Sequence, residues 1–304
     1  MEAIMIAKRT DLALEAREIW QESAGNQTKL EGVEAFDKVS RGFNVTTVKI
    51  LNEKGSEELC KPIGTYVTVE LDSFIRREDE AFDRGAAAIG EEIKKIANLK
   101  DGDTVLVAGL GNRAITPDAI GPETVKNTLV TRHLIEKEPK AFSGFRSVAA
   151  LETGVLGTTG IESAGLIKAA VEAMKPDCVI AVDALASRSM DRVCRTVQIS
   201  DTGIVPGSGV GNGRQALSAE TLGVKVIAVG IPTVVDAATL ASDMVASSGG
   251  SVDEGRLRRL GGDMIVTPRE IDSRVADCAK LLGYGINLAM HKGISIDDVT
   301  MFLS

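Results

Sequence analysis

Aromatic and histidine side chains are scarce in this chain of 304 residues, which contains 7 Phe, 2 Tyr, 1 Trp and 2 His. Positive charge is also in deficit, because 35 Lys and Arg against 43 Asp and Glu leave a net charge of −8. A protein that binds nucleic acid through its own surface needs a basic stripe and usually stacking aromatics. We therefore predict that this protein makes no direct contact with nucleic acid.

Long apolar runs and a secretory signal are missing as well. No stretch of about 18 apolar residues occurs, so the sequence predicts no membrane span. The N-terminus mixes Glu2, Lys8 and Arg9 with short apolar patches, which is not the pattern of a signal peptide. A cytoplasmic protein is the expectation.

Paired cysteines and closely spaced histidines are absent too. The two histidines are far apart in sequence, which excludes an HExxH zinc site. The cysteines form no CxxC motif, and two of them lie in apolar surroundings, as is typical of free buried thiols in a reducing compartment; they are Cys60, Cys178, Cys194 and Cys278.

Two hydrophobic patterns divide the chain at about residue 100. Before that point, two segments alternate with a period of two, which predicts an antiparallel strand pair at 43–51 and 64–71, followed by a helix over 80–98. After it, nearly continuous apolar runs predict buried strands at 104–110, 147–151, 178–185, 196–199 and 224–232. Helical patterns occupy 122–136, 161–174 and 270–290.

Buried strands that alternate with helices favour an α/β fold. We predict a three-layer sandwich around a mostly parallel or mixed sheet, with an added N-terminal β-rich segment. The N-terminal part, up to residue 100, and the core at 101–304 are expected to form a single domain.

The loops after the core strands hold the candidate site, because open α/β sheets bind ligands beyond the carboxyl ends of their strands. Gly109, Gly111 and Ala114 match the GxGxxA dinucleotide fingerprint directly after a strand. That motif needs a helix N-terminus at its glycines, whereas residues 116–118 intervene here. A nucleotide-dependent α/β oxidoreductase that uses this loop is retained as the alternative function.

A second glycine-rich stretch, PGSGVGNGR at 206–214, lacks the GK[ST] of a P-loop. We interpret it as a turn that lines a substrate cleft, with Gly207 and Gly209 allowing another backbone to approach. Asp201 opens a DTG triplet, but a single triplet in an α/β pattern does not make a pepsin-like protease. Asp201 is kept as a cleft-lining candidate.

Two aspartates are the candidate acid and base. Asp118 lies in the loop after one core strand, and Asp183 directly follows five apolar residues of another. A buried carboxylate needs a partner, which a helix N-terminus or Arg188 would supply if Asp183 were structural. If the two aspartates instead share a crevice, one keeps its proton near neutral pH. The pair could then act as base toward water and as acid toward an amide, in either assignment.

Seven blocks in register resemble those of the germination proteases of spore-forming bacteria: GLGNRAITPDAIGP, LVTRHL, GTTGIES, VIAVDALASRS, QISDTGIVPGSGVGN, ETLGVKVIAVGIPTVVDA and MIVTPREID, with RTDLALEA near the N-terminus. The resemblance implies an endopeptidase of the spore core that degrades small acid-soluble spore proteins, which coat DNA. It also implies a self-processed zymogen and a homotetramer. The family's two essential aspartates fall on Asp118 and Asp183.

The core is also similar to hydrogenase-maturation endopeptidases, whose GxGN block carries an acidic residue six positions beyond its Asn; here these are Asn112 and Asp118. Those relatives use their acids to recognise a metal. We expect no cofactor, and a divalent metal is left open. Gly109, Gly111 and Asn112 are expected to shape the cleft wall, where backbone N–H groups could hold an oxyanion.

The family's substrates are cut in a Thr-acid-apolar-Ala setting, after the acidic residue. Residues 10–13 read Thr-Asp-Leu-Ala, so we predict self-cleavage between Asp11 and Leu12, although a helix cap is a compatible role for Asp11. Residues 1–11 would be the propeptide and 12–304 the peptidase domain. The sequence departs from family members at Val205, where some have His, and at the short segment 246–263, where many have a long insertion.

Overall fold

The computed structural model describes residues 10–23, 30–211, 213–253, 256, 257, 259 and 264–304. Most of the predicted propeptide, residues 1–9, therefore lies outside the described residues. Within the described ranges, nine strands form one mixed sheet in the order β1-β2-β3-β7-β8-β6-β4-β5, and β9 pairs with β8. The strands are β1 (Val33–Ser40), β2 (Phe43–Ile50), β3 (Gly64–Glu70), β4 (Val105–Gly109), β5 (Val148–Glu152), β6 (Cys178–Ser187), β7 (Thr196–Ser200), β8 (Lys225–Asp236) and β9 (Ile265–Val266).

Helices cover both faces of this sheet, as predicted for an α/β sandwich. The described helices are α1 (Ala13–Ser23), α2 (Glu53–Leu59), α3 (Asp72–Ile75), α4 (Ala81–Ala97), α5 (Ile120–Lys126), α6 (Arg132–Lys137), α7 (Leu156–Thr159), α8 (Ser163–Met174), α9 (Ala219–Leu222), α10 (Ala237–Ser247), α11 (Ile271–Met290) and α12 (Ile296–Leu303). The long helices α4 and α11 share one core with the central strands, and α8 packs on the opposite face. None of the described helices is both long and apolar enough to cross a bilayer.

The N-terminal strands continue the core sheet. The predicted antiparallel pair is confirmed as β2 and β3, and β3 joins the core through its antiparallel pairing with β7. Strand β1 was missed, because VEAFDKVS is half-exposed and rich in charge and so carries a weak strand signal. Helices α1 and α2 cover these strands through a small apolar cluster that includes Trp20 and Leu59.

The predicted single helix at 122–136 is wrong. Helix α5 ends at Lys126 and α6 begins at Arg132. The residues between them bond to other parts of the fold: the Leu129 N–H donates to Asn287 Oδ1, and the Thr131 N–H donates to the Val148 carbonyl. Those partners lie far along the chain, so helical periodicity alone could not locate the break.

Unequal strand lengths position the site. Strand β4 pairs with β6 only as far as Gly109 and Val182, whereas β6 and β8 continue side by side to Ser187 and Val235. Asp183 is therefore the first residue of β6 beyond the end of β4. Beyond Val182, no described strand pairs with β6 on its β4 side, so main-chain groups of this part of β6 can bind another segment.

Candidate active site

A cavity of about 470 Å³ opens beyond the carboxyl ends of β4 and β6. Its wall includes parts of the loop after β4, the end of β6, the glycine-rich turn and the N-terminal segment (residues 10–13), together with residues after β5 and from β8 and β9. The residues that line it include Asp11, Gly111, Asn112, Asp118, Asp183, Gly207 and Gly209. Both candidate aspartates therefore face one crevice.

The loop after β4 folds back so that Asp118 lies beside its start. The Asn112 N–H donates both to the Asp118 carbonyl, at 3.0 Å, and to Asp118 Oδ2, at 2.9 Å. Gly111 has φ of 107°, and a Cβ there would lie 2.0 Å from the Asp118 carbonyl oxygen. Only glycine allows this close approach, so the position of Asp118 depends on local backbone contacts.

Asp118 is partly buried, and burial raises the pKa of its carboxyl to about 6, although the bond from the Asn112 N–H acts in the opposite direction. A carboxyl with this pKa is mostly ionised at neutral pH and can still accept a proton. It therefore has the properties of a general base.

Asp183 is 4% exposed and points from β6 into the same cavity. Burial raises the pKa of its carboxyl well above the ordinary value, and the charges of Asp118 and Asp11 raise it further. The Ala184 N–H donates to Asp183 Oδ1 at 2.9 Å. The raised pKa favours the protonated form of Asp183, which therefore has the properties of a general acid.

The structural alternative for Asp183 fails in the described part of the chain. Arg188 pairs with Asp243 and Glu22 instead, and Asp183 lies within β6 rather than at a helix N-terminus. No described cation forms a salt bridge with Asp183.

The N-terminal segment, residues 10–13, lies in the candidate site and contacts it as a bound peptide would. The Asp11 N–H donates to the Ala186 carbonyl at 2.9 Å. In return, the Asp11 carboxylate accepts a bond from the Ala186 N–H at 2.8 Å and one from Ser208 Oγ at 2.7 Å. Leu12 is fully buried. Asp11 also lines a second cavity of about 480 Å³, so it belongs to the walls of both cavities.

Glu15 anchors the start of α1 next to this segment. It is 1% exposed, and its carboxylate accepts bonds from the N–H groups of Arg188, at 2.6 Å, and Ser189, at 3.1 Å. It also pairs with Arg192 at 3.3 Å and accepts a bond from the Thr10 hydroxyl. These contacts hold the N-terminal segment against the end of β6.

The other predicted cleft residues occupy three kinds of position. Gly111, Asn112, Gly207 and Gly209 line the cavity that holds both aspartates. Gly109 does not line it; its Cα faces α5, where an added Cβ would lie 2.4 Å from the Gly121 carbonyl oxygen. Asp201 lines the second cavity, and its Oδ1 accepts a bond from the Thr65 N–H at the start of β3.

Sequence reasoning missed Ser208 and Gln198. Ser208 lies between two glycines that were singled out, and Gln198 interrupts the apolar strand β7. A polar residue in a buried strand was the available signal, because such groups need hydrogen-bond partners. Those partners, Asp11 and Ala13, are about 190 residues away in the chain, as shown by the Gln198 separations of 187 and 185.

Two further expectations concern cofactors. The first helix after Gly111 begins at Ile120, after a 3-10 turn at Thr116–Asp118, so no helix N-terminus meets the glycines as a dinucleotide site requires. Among the described residues, no group of three or more His, Cys, Asp and Glu side chains is arranged to hold a metal ion.

Comparisons with known proteins identify relatives along the whole chain. A family model described as germination protease matches residues 13–247. The germination protease of Caldanaerobacter subterraneus subsp. tengcongensis is 41% identical over 326 residues, covering 99% of each chain. That of Clostridium perfringens is 41% identical over 323 residues (97% of this chain, 99% of the relative). That of Halalkalibacterium halodurans is 38% identical, covering 96% of this chain and 95% of the relative.

A solved structure is also similar, at a greater distance. The [NiFe] hydrogenase maturation protease HycI from Thermococcus kodakarensis matches with a TM-score of 0.35 and 17% identity, covering 64% of this chain and 98% of that one.

Proposed function

The chain belongs to the germination protease family, and from that membership we propose that it begins the breakdown of small acid-soluble spore proteins in the spore core. It is a peptidase of this family. The proposed specificity is for bonds that follow an acidic residue and precede an apolar one. No direct contact with DNA is needed, because the substrate is the protein that coats it.

The observation that carries this proposal is the binding of Asp11 beside Asp183. The Asp11 carboxylate accepts hydrogen bonds from the Ala186 N–H and the Ser208 hydroxyl. Gly209 makes room for it, since a Cβ there would lie 2.1 Å from Asp11 Oδ2. Hydrogen bonds to a charged group are stronger than neutral ones, so this pocket favours an acidic side chain. The next residue, Leu12, is apolar and buried.

In the proposed reaction, the two aspartates divide the proton transfers. Asp118, ionised at neutral pH, takes a proton from a water molecule that attacks the carbonyl carbon of the bond after the acidic residue. Asp183, in the protonated form that its raised pKa favours, donates a proton to the leaving nitrogen as the C–N bond breaks. The products are a new carboxyl terminus and a new amine, and each transfer contributes on the order of 10²–10⁴ in rate.

We propose that the same reaction matures the enzyme. Residues 1–11 form the propeptide, and cleavage between Asp11 and Leu12 separates it from the peptidase domain at 12–304. Before cleavage Asp11 lines both cavities, which supports a role of the propeptide as an inhibitor of the uncut enzyme.

Assembly as a homotetramer is also part of the proposal. Strand β1 is at the edge of the sheet and exposes Phe36 and Val39, which is compatible with a contact between copies. Light scattering on the purified protein tests it: a monomeric mass would exclude the tetramer.

Replacement of each aspartate by asparagine tests the chemistry. We expect Asp118→Asn and Asp183→Asn to abolish self-processing while the melting temperature stays near that of the wild type, because the amide cannot transfer the proton. Intact mass and N-terminal sequencing of the wild type should identify Leu12 as the new N-terminus.

Asp236→Asn is the matched control. Asp236 is as deeply buried as Asp183 but caps α10, where Asn caps as well as Asp, so its variant should process normally. Normal processing in Asp118→Asn, or a mature N-terminus other than Leu12, would contradict the proposal.

A further inference from the structure

Gln198 makes an unusual pair of contacts with the N-terminal segment. Its side chain, on β7, is 8% exposed between the fully buried Val197 and Ile199. Nε2 donates to the Asp11 carbonyl oxygen at 3.0 Å, and Oε1 accepts a bond from the Ala13 N–H at 2.7 Å. Both partners are main-chain groups, so the same contacts are available to any peptide that lies along this path.

The two contacted groups lie on either side of the bond between Asp11 and Leu12. The carbonyl that accepts the bond from Nε2 belongs to that peptide bond itself. The N–H that is held by Oε1 belongs to the second residue after it. One side-chain amide therefore fixes the orientation of the peptide bond that the proposed function assigns to cleavage.

The sheet register places Gln198 and Asp183 on opposite sides of one gap. Gly230 of β8 pairs with Gln198 on one side and with Asp183 on the other. Directly paired residues project from the same face, and two strand spacings separate the outer residues by about 10 Å. Gly230 has no side chain, and Leu185 covers it, since a Cβ there would lie 2.6 Å from Leu185 Cγ. A peptide backbone can therefore lie over Leu185 with an acid at one end and an amide donor at the other.

We propose that Gln198 is a catalytic residue of this peptidase, whose side-chain N–H binds the carbonyl oxygen of the bond to be cut. The inference rests on the proposed cleavage after Asp11. When water adds to the carbonyl carbon, the π electron pair moves onto that oxygen, and the N–H of Gln198 stabilises the resulting oxyanion. The pair returns when the C–N bond breaks, so Gln198 gains and loses no proton.

The Gln198→Glu variant distinguishes stabilisation of the oxyanion from a role in which Gln198 only holds the N-terminal segment in place. The carboxylate keeps an acceptor for the Ala13 N–H but loses the donor and places negative charge next to the developing oxyanion. Loss of one such donor lowers turnover by roughly 100-fold or more. We expect the first-order rate of self-processing in the full-length chain, followed by intact mass, to fall by at least this factor in both Gln198→Glu and Gln198→Ala.

A structural role predicts a different pattern. If Gln198 only docked the segment, Gln198→Glu would process at the wild-type rate and only Gln198→Ala would be slow; that result would overturn the inference. Hydrogen exchange at the Ala13 amide reports docking directly, and we expect it to stay protected in Gln198→Glu. Loss of that protection in Gln198→Glu would also overturn the inference, because the slower rate would then reflect lost binding.

Thr196→Val is the matched control, since Thr196 is a buried polar residue on the same face of β7 whose hydroxyl bonds only the Arg192 carbonyl in the described residues. We expect it to process at the wild-type rate.

The aspartate variants distinguish failure of the proposed cleavage from failure of the proposed role of Gln198. If Asp118→Asn and Asp183→Asn block processing but Gln198→Glu does not slow it, only the role of Gln198 is overturned. If the mature chain does not begin at Leu12, the proposed cleavage and the role of Gln198 are overturned together.

Discussion

The two sides of the cleft are built in different ways. On one side, Asp118 is fixed by Asn112 and Gly111, which are within seven residues of it. On the other side, the N-terminal segment is held by residues more than 170 positions away, through bonds from Ala186 and Ser208 to Asp11. The position of Asp118 depends largely on a short loop, whereas the peptide-binding side, like Asp183 on β6, depends on the strands of the sheet.

Substitutions on the two sides should therefore affect different steps of self-processing. A local backbone change in the loop that holds Asp118 should affect the chemical step without altering how the N-terminal segment binds. A side-chain change on the binding side should affect recognition of the acidic residue while the proton transfers remain intact. Measurements of self-processing and of pH dependence, in order of decreasing expected effect, test this distinction.

The largest effect is expected from Gly111→Ala. The substitution puts a Cβ 2.0 Å from the Asp118 carbonyl oxygen at a φ of 107°, so the loop must move and carry Asp118 with it. Misplacing a catalytic group by about 1 Å costs on the order of 100-fold in rate, and we expect self-processing to slow at least that much.

Gly144→Ala is the control for this prediction, because in the described part of the chain no heavy atom outside its two chain neighbours lies within 4 Å of the added Cβ. It should process normally, and hydrogen exchange at Leu12 and Ala13 should show the segment still docked in Gly111→Ala. A wild-type rate in Gly111→Ala would mean that the local loop does not set the position of Asp118.

A smaller effect is expected from Ser208→Ala. The substitution removes one of the two described hydrogen bonds to the Asp11 carboxylate. A bond to a charged group is worth about 1.5–3 kcal/mol, which corresponds to roughly 10- to 100-fold in rate. The rate of self-processing measures it, and the exposed Ser247→Ala provides the control.

Asp11→Asn completes a double-mutant cycle with Ser208→Ala. If Ser208 acts through the acidic side chain, the double variant should be less impaired than the product of the two single effects. Independent effects in the cycle would show that Ser208 does not recognise the carboxylate.

The smallest effect is expected from pH. Because burial raises the pKa of Asp118 to about 6, the base is progressively protonated below that value. Cleavage of a Thr-Asp-Leu-Ala-containing peptide by the matured enzyme should be about tenfold slower at pH 5 than at neutral pH. It should fall again at high pH, where Asp183 loses its proton. A flat profile between about pH 5 and pH 7 would exclude Asp118 as the base.

Stability should respond to pH in the opposite sense. Both carboxyls have pKa values raised above those of the unfolded chain, so folding favours their protonated forms. Their contribution to stability is fully present below about pH 4 and is lost as pH rises through the folded-state values. Activity should be highest where Asp118 is ionised and Asp183 is still protonated, so only the Asp118 contribution to stability is lost in that pH range. Thermal unfolding of Asp183→Asn against the wild type at two pH values would measure the contribution of Asp183.

Much of the fold was predictable because buried parallel strands are continuous apolar runs. Strand β6 was predicted at 178–185 and extends to Ser187, and α11 was predicted at 270–290 and spans Ile271–Met290. The two failures have different causes. Strand β1 pairs with the adjacent β2, but it is half-exposed and rich in charge, which weakens its strand signal. The break after α5 is fixed by bonds to Asn287 and Val148, which lie outside the helical pattern.

Residue types and the hydrophobic pattern alone predict an α/β core and leave few histidines as candidate bases. They also identify two aspartates at strand ends as the acid–base candidates. Folding is what buries Asp183 without a described cation, gives Asp118 an intermediate pKa, and brings Gln198 and Ser208 into contact with Asp11. Residue type and spacing are properties of the chain. Desolvation and hydrogen bonds between distant segments exist only after the sheet has brought those segments together.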